Sequence, residues 1–127
     1  MASFVVDSSA VLAVINGEPG GEIVAALIND SLLSAVNFAE VMTKLVQRGG
    51  SLERAQNALV NLDLNVVDFD RELAEHAGGL VAQTKVRGLS LGDRCCLALA
   101  LRERIPVVTA DRVWQNTGLG IEVRLFR

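Results

Sequence analysis

Phe4-Val5-Val6-Asp7 and Val107-Val108-Thr109-Ala110-Asp111 share one arrangement, an apolar run that is closed by an aspartate. Each run predicts a strand buried on both faces, because strands of parallel sheets carry continuous aliphatic runs rather than alternating ones. Ligands of open α/β sheets gather at the carboxyl ends of the strands, beside helix N-termini. We therefore expect both aspartates at that edge of a sheet.

Strands and helices are predicted to alternate along the chain, which indicates βαβ units and a mostly parallel sheet. Gly49-Gly50 is expected to end one helix, and Gly78-Gly79 is a weak point within another. The predicted strands are residues 3–6, 32–36, 64–68, 107–109 and 121–125. The predicted helices are 8–16, a second with Pro19 in its first turn, one from Asn37, one from Ser51, 70–87 after the cap Asp70, 91–104, and a short one from Asp111.

Size and composition fit one domain over residues 1–127. Half of the residues are hydrophobic and only 4% are aromatic, so the core is expected to be aliphatic. The first residues lack a basic region ahead of an apolar stretch, and the longest apolar run, 95–101, is far shorter than the roughly 18 residues of a membrane span. We expect a cytoplasmic protein without a membrane segment.

The number and position of the cysteines, together with the net charge, narrow the classes of site and partner that we expect. Cys95 and Cys96 are adjacent and are the only cysteines, so neither an intrachain disulfide nor a zinc site is expected, and both are assigned to the core. The formal net charge of −3 argues mildly against a nonspecific polyanion binder. That objection is limited, because bound cations would invert the local sign of an acidic cluster.

Two further acids lie near predicted helix starts. Glu40 and Asp93 each stand three residues after a predicted N-cap, Asn37 and Ser90. Each has a structural explanation as part of a capping box, and the two strand-end aspartates are equally explained as N-caps. Four carboxylates at one sheet edge would repel one another, however. A divalent cation removes that cost, and such sites support metal-assisted cleavage of phosphodiesters.

The order and spacing of these segments resemble a PIN domain, and specifically the toxin component of a VapBC-type toxin–antitoxin pair. The resemblance covers essentially the whole chain, and no single piece of it is specific. The matching segments are Val5-Val6-Asp7-Ser8-Ser9-Ala10, Asn37-Phe38-Ala39-Glu40-Val41, residues 89–100 (LSLGDRCCLALA) and Val107-Val108-Thr109-Ala110-Asp111.

The resemblance implies a three-layer α/β/α sandwich with a mostly parallel sheet of about five strands. It also implies an endoribonuclease in which Mg²⁺ or Mn²⁺ activates water to hydrolyse RNA phosphodiester bonds. The family's catalytic and metal-binding acids fall on Asp7, Glu40, Asp93 and Asp111, with Thr109 and Ser8 as supporting hydroxyls.

Two protein partners follow from the same resemblance. One is a second copy of the chain in a homodimer. The other is an antitoxin whose C-terminal segment lies along an apolar groove and reaches the acidic pocket, often with an arginine. Residues 38–46 and 52–62 are candidate groove walls, although their spacing also fits ordinary core packing. The sequence does not specify which RNA is cleaved.

Other interpretations stay open at this stage. A PIN-like fold could bind RNA or a protein without cleaving it. A receiver-like domain would carry phosphate on a strand-end aspartate with a lysine nearby, but Lys44 and Lys85 do not follow predicted strands. The roles of Arg94, Arg112 and Asn116 are open, since the two arginines could contact phosphate or form surface salt bridges.

Overall fold

In the computed structural model, which describes the backbone of residues 1–127 and every side chain except that of Val86, the chain builds one parallel sheet. Its strands are β1 (Phe4–Val6), β2 (Ser31–Ser34), β3 (Asn65–Val67), β4 (Val107–Thr109) and β5 (Val123–Leu125). They lie in the order β3-β2-β1-β4-β5, and every pairing is parallel. In receiver-type sheets β1 lies between β2 and β3, so this order excludes the receiver-like interpretation.

Helices cover both faces of the sheet, which confirms the three-layer α/β/α sandwich. The helices are α1 (Ser8–Asn16), α2 (Gly21–Ala25), α3 (Ala35–Gly49), α4 (Leu52–Leu59), α5 (Arg71–Gly79), α6 (Val81–Thr84) and α7 (Leu91–Glu103). Single 3₁₀ turns occupy Ile28–Asp30, Lys85–Arg87 and Arg112–Asn116. Over the described residues, none of these helices has the length and apolar character that crossing a membrane requires.

The core has two aliphatic layers, one on each face of the sheet. Val6 packs with α1 to α4, and its neighbour Val5 packs with α5 and α7, because successive strand residues point to opposite faces. Cys95 and Cys96 are buried in α7, as predicted, within a run of buried residues that continues to Ala100. A helical stretch that is apolar on all sides, as residues 95–100 are, belongs in the interior.

The starts of two helices, α3 and α2, differ from the prediction. Strand β2 ends at Ser34 and not at Val36, because the Ser34 hydroxyl caps α3 by accepting a hydrogen bond from the Val36 amide at 3.2 Å. Asn37 therefore lies inside the first turn and is not an N-cap. Pro19 lies in a turn before α2, whose N-cap is Gly20 in the left-handed region at φ 83°. A Cβ at Gly20 would collide with the backbone of Phe126.

The remaining helix signals hold. Gly50 ends α3 in the left-handed conformation, and Ser51 and Asp70 cap α4 and α5. The helix predicted over 70–87 is broken at Leu80, directly after the glycine pair that was identified as its weak point.

Strands β1 and β4 are neighbours at the centre of the sheet, and they mark the place where the strand order reverses. The chain moves outward from β1 to β2 and β3 on one side, and from β4 to β5 on the other. Val6 pairs with Val108, so the two strands end within one residue of each other. A crevice at the carboxyl ends of such a strand pair is the expected ligand site of an open α/β sheet.

Candidate active site

Asp7 is the most enclosed of the four acids. It is 6% exposed and caps α1, with Oδ1 accepting hydrogen bonds from the Ala10 amide at 3.0 Å and the Ser9 hydroxyl at 2.6 Å. Oδ2 accepts from the Thr109 hydroxyl at 2.6 Å. Burial raises the pKa of Asp7 above its ordinary value, and the charge of Asp93 adds to that rise, although the three hydrogen bonds oppose it.

Two hydroxyl groups hold Asp7 in place, and one of them is the predicted Thr109. The Thr109 hydroxyl also accepts from the Asp111 amide at 3.1 Å, so it joins the ends of β1 and β4. The second hydroxyl belongs to Ser9, one residue after the predicted Ser8. Ser9 is two residues from the Asp7 cap, and its Oγ also accepts from the Ala110 amide at 3.4 Å. A hydroxyl two residues beyond an aspartate cap is the local pattern that points to Ser9.

Asp93 has the capping role that was weighed for it, and it also lies at the acidic edge. It completes the predicted capping box of α7, since its Oδ2 accepts from the Ser90 amide at 2.9 Å and its own amide donates to the Ser90 hydroxyl at 3.2 Å. It is also half-buried beside the other acids. Partial burial raises the pKa of the Asp93 carboxyl, and the charges of Asp111 and Glu40 add to that rise, against the capping hydrogen bonds.

Glu40 reaches the site from the second turn of α3 and not from a capping box. Its Oε1 accepts from the Asn37 side-chain amide at 2.8 Å, and the same amide nitrogen donates to the Gly92 carbonyl at 3.1 Å. The Glu40 carboxylate lies over Gly92, where an added Cβ would approach its three carboxyl atoms more closely than 3.0 Å. This contact between α3 and α7 places Glu40 beside Asp93, and the role of Asn37 in it was missed.

Asp111 stands on the outside of the site. It is exposed and caps the 3₁₀ turn Arg112–Asn116, with Oδ1 accepting from the Val113 amide at 3.0 Å.

The two arginines that follow the acids differ in exposure. Arg112 is exposed, whereas Arg94 is half-buried and donates to the Ala77 carbonyl at 3.5 Å. The five ion pairs found among the described side chains include neither arginine.

The four predicted acids thus meet at one edge, with Asp93 as their shared neighbour. Its charge acts on Asp7, and the charges of Glu40 and Asp111 act on it. Among the described side chains, however, no three His, Cys, Asp or Glu residues converge tightly enough to enclose a bare metal ion. A closed cage is not required for Mg²⁺, since this ion keeps several waters and binds through one or two carboxylates.

The chemistry of the donor atoms can also be compared with what a hard cation requires. One oxygen each of Glu40, Asp93 and Asp111 accepts a local hydrogen bond, and the other oxygen is left for an outside ligand. Oxygen donors of this kind suit hard cations. Cys96 lies behind the acids, fully buried, and burial together with their charges holds the pKa of its thiol well above the usual range. The thiol therefore stays protonated and is a core group, not a soft-metal ligand or nucleophile.

Solved structures with a similar fold come from several bacteria. The DNA-bound VapBC of Salmonella typhimurium has a TM-score of 0.78 at 20% identity over 100% of both chains. VapC20 of Mycobacterium tuberculosis, a sarcin-ricin loop cleaving toxin, has a TM-score of 0.77 at 23% identity, over 96% of this chain and 99% of that one. A toxin–antitoxin complex from Klebsiella pneumoniae has a TM-score of 0.74 at 21% identity over 98% of both chains.

At these identities the likeness shows a shared fold. A search of curated proteins finds no match to this chain. The family profile described as the PIN domain matches residues 4–119, which is most of the chain, and the chain therefore belongs to the PIN domain family.

Proposed function

We propose that this protein is a Mg²⁺- or Mn²⁺-dependent endoribonuclease that acts as the toxin of a toxin–antitoxin pair. The observation that carries the proposal is the meeting of Asp7, Glu40, Asp93 and Asp111 at the switch point of a parallel sheet. Membership of the PIN family favours nuclease chemistry, and VapC20, which shares the fold, is a sarcin-ricin loop cleaving toxin.

The acids would hold the metal and orient the phosphodiester. When bound, the cation supplies a Lewis acid and activates water for attack on phosphorus. Asp7 would be the fixed ligand, because hydrogen bonds from Ser9, Ala10 and Thr109 restrict the rotation of its carboxylate. Asp93 lies beside it and is held by the first turn of α7, whose N-terminal dipole favours the charged form.

Arg94 and Arg112 would bind the phosphates that flank the cleaved bond. Both follow an acid of the site directly in sequence, and neither is paired with a carboxylate among the described residues. The Arg94 Nε is buried without a hydrogen-bond acceptor in that part of the chain. A guanidinium group can bind phosphate in a bidentate manner, which the exposure of Arg112 permits.

The antitoxin segment would lie in the groove between α3 and α4. This groove has a volume of about 320 Å³ and includes Phe38, Met42, Leu59, Val60 and Leu64, within or beside the two predicted wall segments. Val60 is 74% exposed, so an apolar partner would bury surface that now faces water. Several fold neighbours are themselves complexes of a toxin with an antitoxin.

A homodimer in the cytoplasm completes the proposal, and sedimentation of the purified chain tests the dimer.

The decisive experiment is cleavage of total cellular RNA by antitoxin-free protein with Mn²⁺, Mg²⁺ or a chelator. Asp93→Asn should reduce the rate by about a thousandfold, or roughly 4 kcal/mol of transition-state stabilisation, because it removes a metal ligand. The matched control is Asp70→Asn, since Asp70 caps α5 by accepting from the Leu73 amide at 2.9 Å, outside the acidic edge.

The outcomes separate cleavage from binding. Metal-dependent cuts that Asp93→Asn abolishes and Asp70→Asn preserves would support the nuclease, and mapping the new ends would identify its RNA. Full activity in Asp93→Asn would contradict the assignment. Mn²⁺ binding without any cleavage across total RNA would favour the second candidate, a PIN domain that binds RNA or protein without turnover.

A further inference from the structure

Asn37 is a buried polar residue at the acidic edge to which the proposed chemistry gives no task. It lies in the first turn of α3 and is 1% exposed. Its amide nitrogen donates to Glu40 Oε1 at 2.8 Å and to the Gly92 carbonyl at 3.1 Å. Its Oδ1 is buried and has no hydrogen-bond donor among the described residues. One side chain therefore joins an acid of α3 to the first turn of α7.

The two acceptors fix the orientation of this amide. A reversed amide would direct Oδ1 at a carboxylate and a carbonyl, two groups that can only accept. The observed orientation satisfies both acceptors, and Oδ1 has no donor among the described protein atoms. The amide therefore holds the Glu40 carboxylate and the Gly92 carbonyl at the same time.

Gly92 provides the other half of the contact. The Glu40 carboxylate lies over the Gly92 backbone, in space that any side chain at residue 92 would fill, since a Cβ would come closer than 3.0 Å to Oε1, Oε2 and Cδ. Gly92 is the second residue of α7 and the neighbour of Asp93. The missing side chain thus permits Glu40 to approach Asp93, and the Asn37 amide keeps it there.

We propose that Asn37 and Gly92 form a positioning clamp that holds the Glu40 carboxylate against the first turn of α7, next to Asp93, for metal binding. The clamp rests on the proposed function, because it has a purpose only if the acids bind a cation. Neither residue contacts the reacting atoms, and both act through Glu40. Groups that orient metal ligands in this way typically contribute about 10- to 100-fold to metal affinity or activity.

The test is a calorimetric titration of the metal-free protein with Mn²⁺. Asn37→Ser should weaken Mn²⁺ binding by about 10- to 100-fold. Glu40→Ala should weaken it at least as much, and adding Asn37→Ser to Glu40→Ala should cause no further loss, because the clamp then has no carboxylate to hold. Additive losses in the double variant would overturn the inference.

The control for general destabilisation is Thr84→Val. Thr84 is fully buried in α6, and its hydroxyl donates to the Leu80 carbonyl at 2.8 Å, so this variant also loses a buried hydrogen bond. Its Mn²⁺ affinity should match that of the wild type even where its melting temperature falls. If Thr84→Val weakens Mn²⁺ binding as strongly as Asn37→Ser, the loss reflects stability and the clamp is contradicted.

Gly92→Ala tests the clamp without removing a hydrogen-bond donor. Alanine favours helix more than glycine, so the variant should fold, yet its Cβ should displace Glu40 and weaken Mn²⁺ binding. Unchanged affinity in both Gly92→Ala and Asn37→Ser would overturn the clamp while leaving the metal site intact. Absence of Mn²⁺ binding by the wild type would instead remove the proposed function, and the clamp with it.

Discussion

The acidic edge has an inner side, Asp7 with Ser9 and Thr109, and an outer side, Asp93 with Ser90 and Asp111, and the two hold their carboxylates differently. On the inner side, a hydrogen bond spans 102 residues between Thr109 and Asp7. On the outer side, the hydrogen bonds link residues no more than three positions apart. The inner carboxylate thus depends on the assembled sheet, and the outer ones depend on single helix turns.

This difference has an energetic consequence. Asp7 is buried with several hydrogen bonds but without a cationic partner among the described side chains, so its charge is costly in the metal-free protein. Asp111 is exposed and carries no such cost of burial. On the inner side, stability and function should therefore conflict most strongly. The charge of Asp7 destabilises the metal-free fold, and the same charge would attract the cation.

The largest expected effect is that of Asp7→Asn. An asparagine can still accept at Oδ1 from Ser9 and Ala10, and its amide can donate to the Thr109 hydroxyl. RNA cleavage should fall by about a thousandfold, or roughly 4 kcal/mol, because the proposed metal ligand is lost. The metal-free protein should become more stable at neutral pH, because a buried charge is removed. Rate assays and urea unfolding of the same preparations would check both expectations.

The pH dependence of stability provides the control for Asp7→Asn. The folded-state pKa of Asp7 is raised above its ordinary value of 3.8, so the folded protein binds that proton more tightly than the unfolded chain. Metal-free wild type should gain stability as the pH falls from neutral through the raised pKa toward 3.8, and Asp7→Asn should gain less. Asp93 and Glu18 also have shifted pKa values, but both proteins share them. Parallel pH profiles would contradict the burial cost.

The next effect, on the same side, is that of Thr109→Val. This variant removes the donor to Asp7 Oδ2 and the acceptor of the Asp111 amide. Cleavage or Mn²⁺ affinity should fall by about 10- to 100-fold, and unfolding should become easier by about 1–3 kcal/mol. Thr84→Val, which loses a buried hydroxyl elsewhere, should lose stability without a change in rate. Equal rates for the two variants would show that the Thr109 hydroxyl is only structural.

The two sides also differ in how many of their hydrogen bonds could be predicted from the sequence. The capping box of Ser90 and Asp93 could be predicted because its donors and acceptors lie within one helical turn. The support of Asp7 by Thr109 came only from the family resemblance, since no local pattern links residues so far apart. The resemblance pointed to Ser8, whereas the hydroxyl that donates to Asp7 belongs to Ser9, two residues beyond the cap.

Glu40 is a second case in which a contact between distant residues could not be predicted from the sequence. Its position at the edge was predicted, but through a capping box that does not exist, because Ser34 and Asn37 are both good N-caps and only Ser34 is used. Strand pairing decides between them, since Ser34 is paired with Val67 in the sheet and α3 starts directly afterwards. The contact that actually places Glu40 joins Asn37 and Gly92, 55 residues apart, and has no local signature.

The smallest expected effect is that of Ser90→Ala, on the outer side. The loss of the N-cap hydroxyl should cost about 1 kcal/mol of stability, as it should in the control Ser51→Ala, where the hydroxyl accepts from the Arg54 amide at 3.2 Å. The amide of residue 90 still donates to Asp93 Oδ2 in this variant, so Asp93 should keep its position and RNA cleavage should stay near the wild-type rate. A loss of cleavage as large as that of Thr109→Val would mean that the outer carboxylates are not held by single helix turns, and the contrast between the two sides would no longer stand.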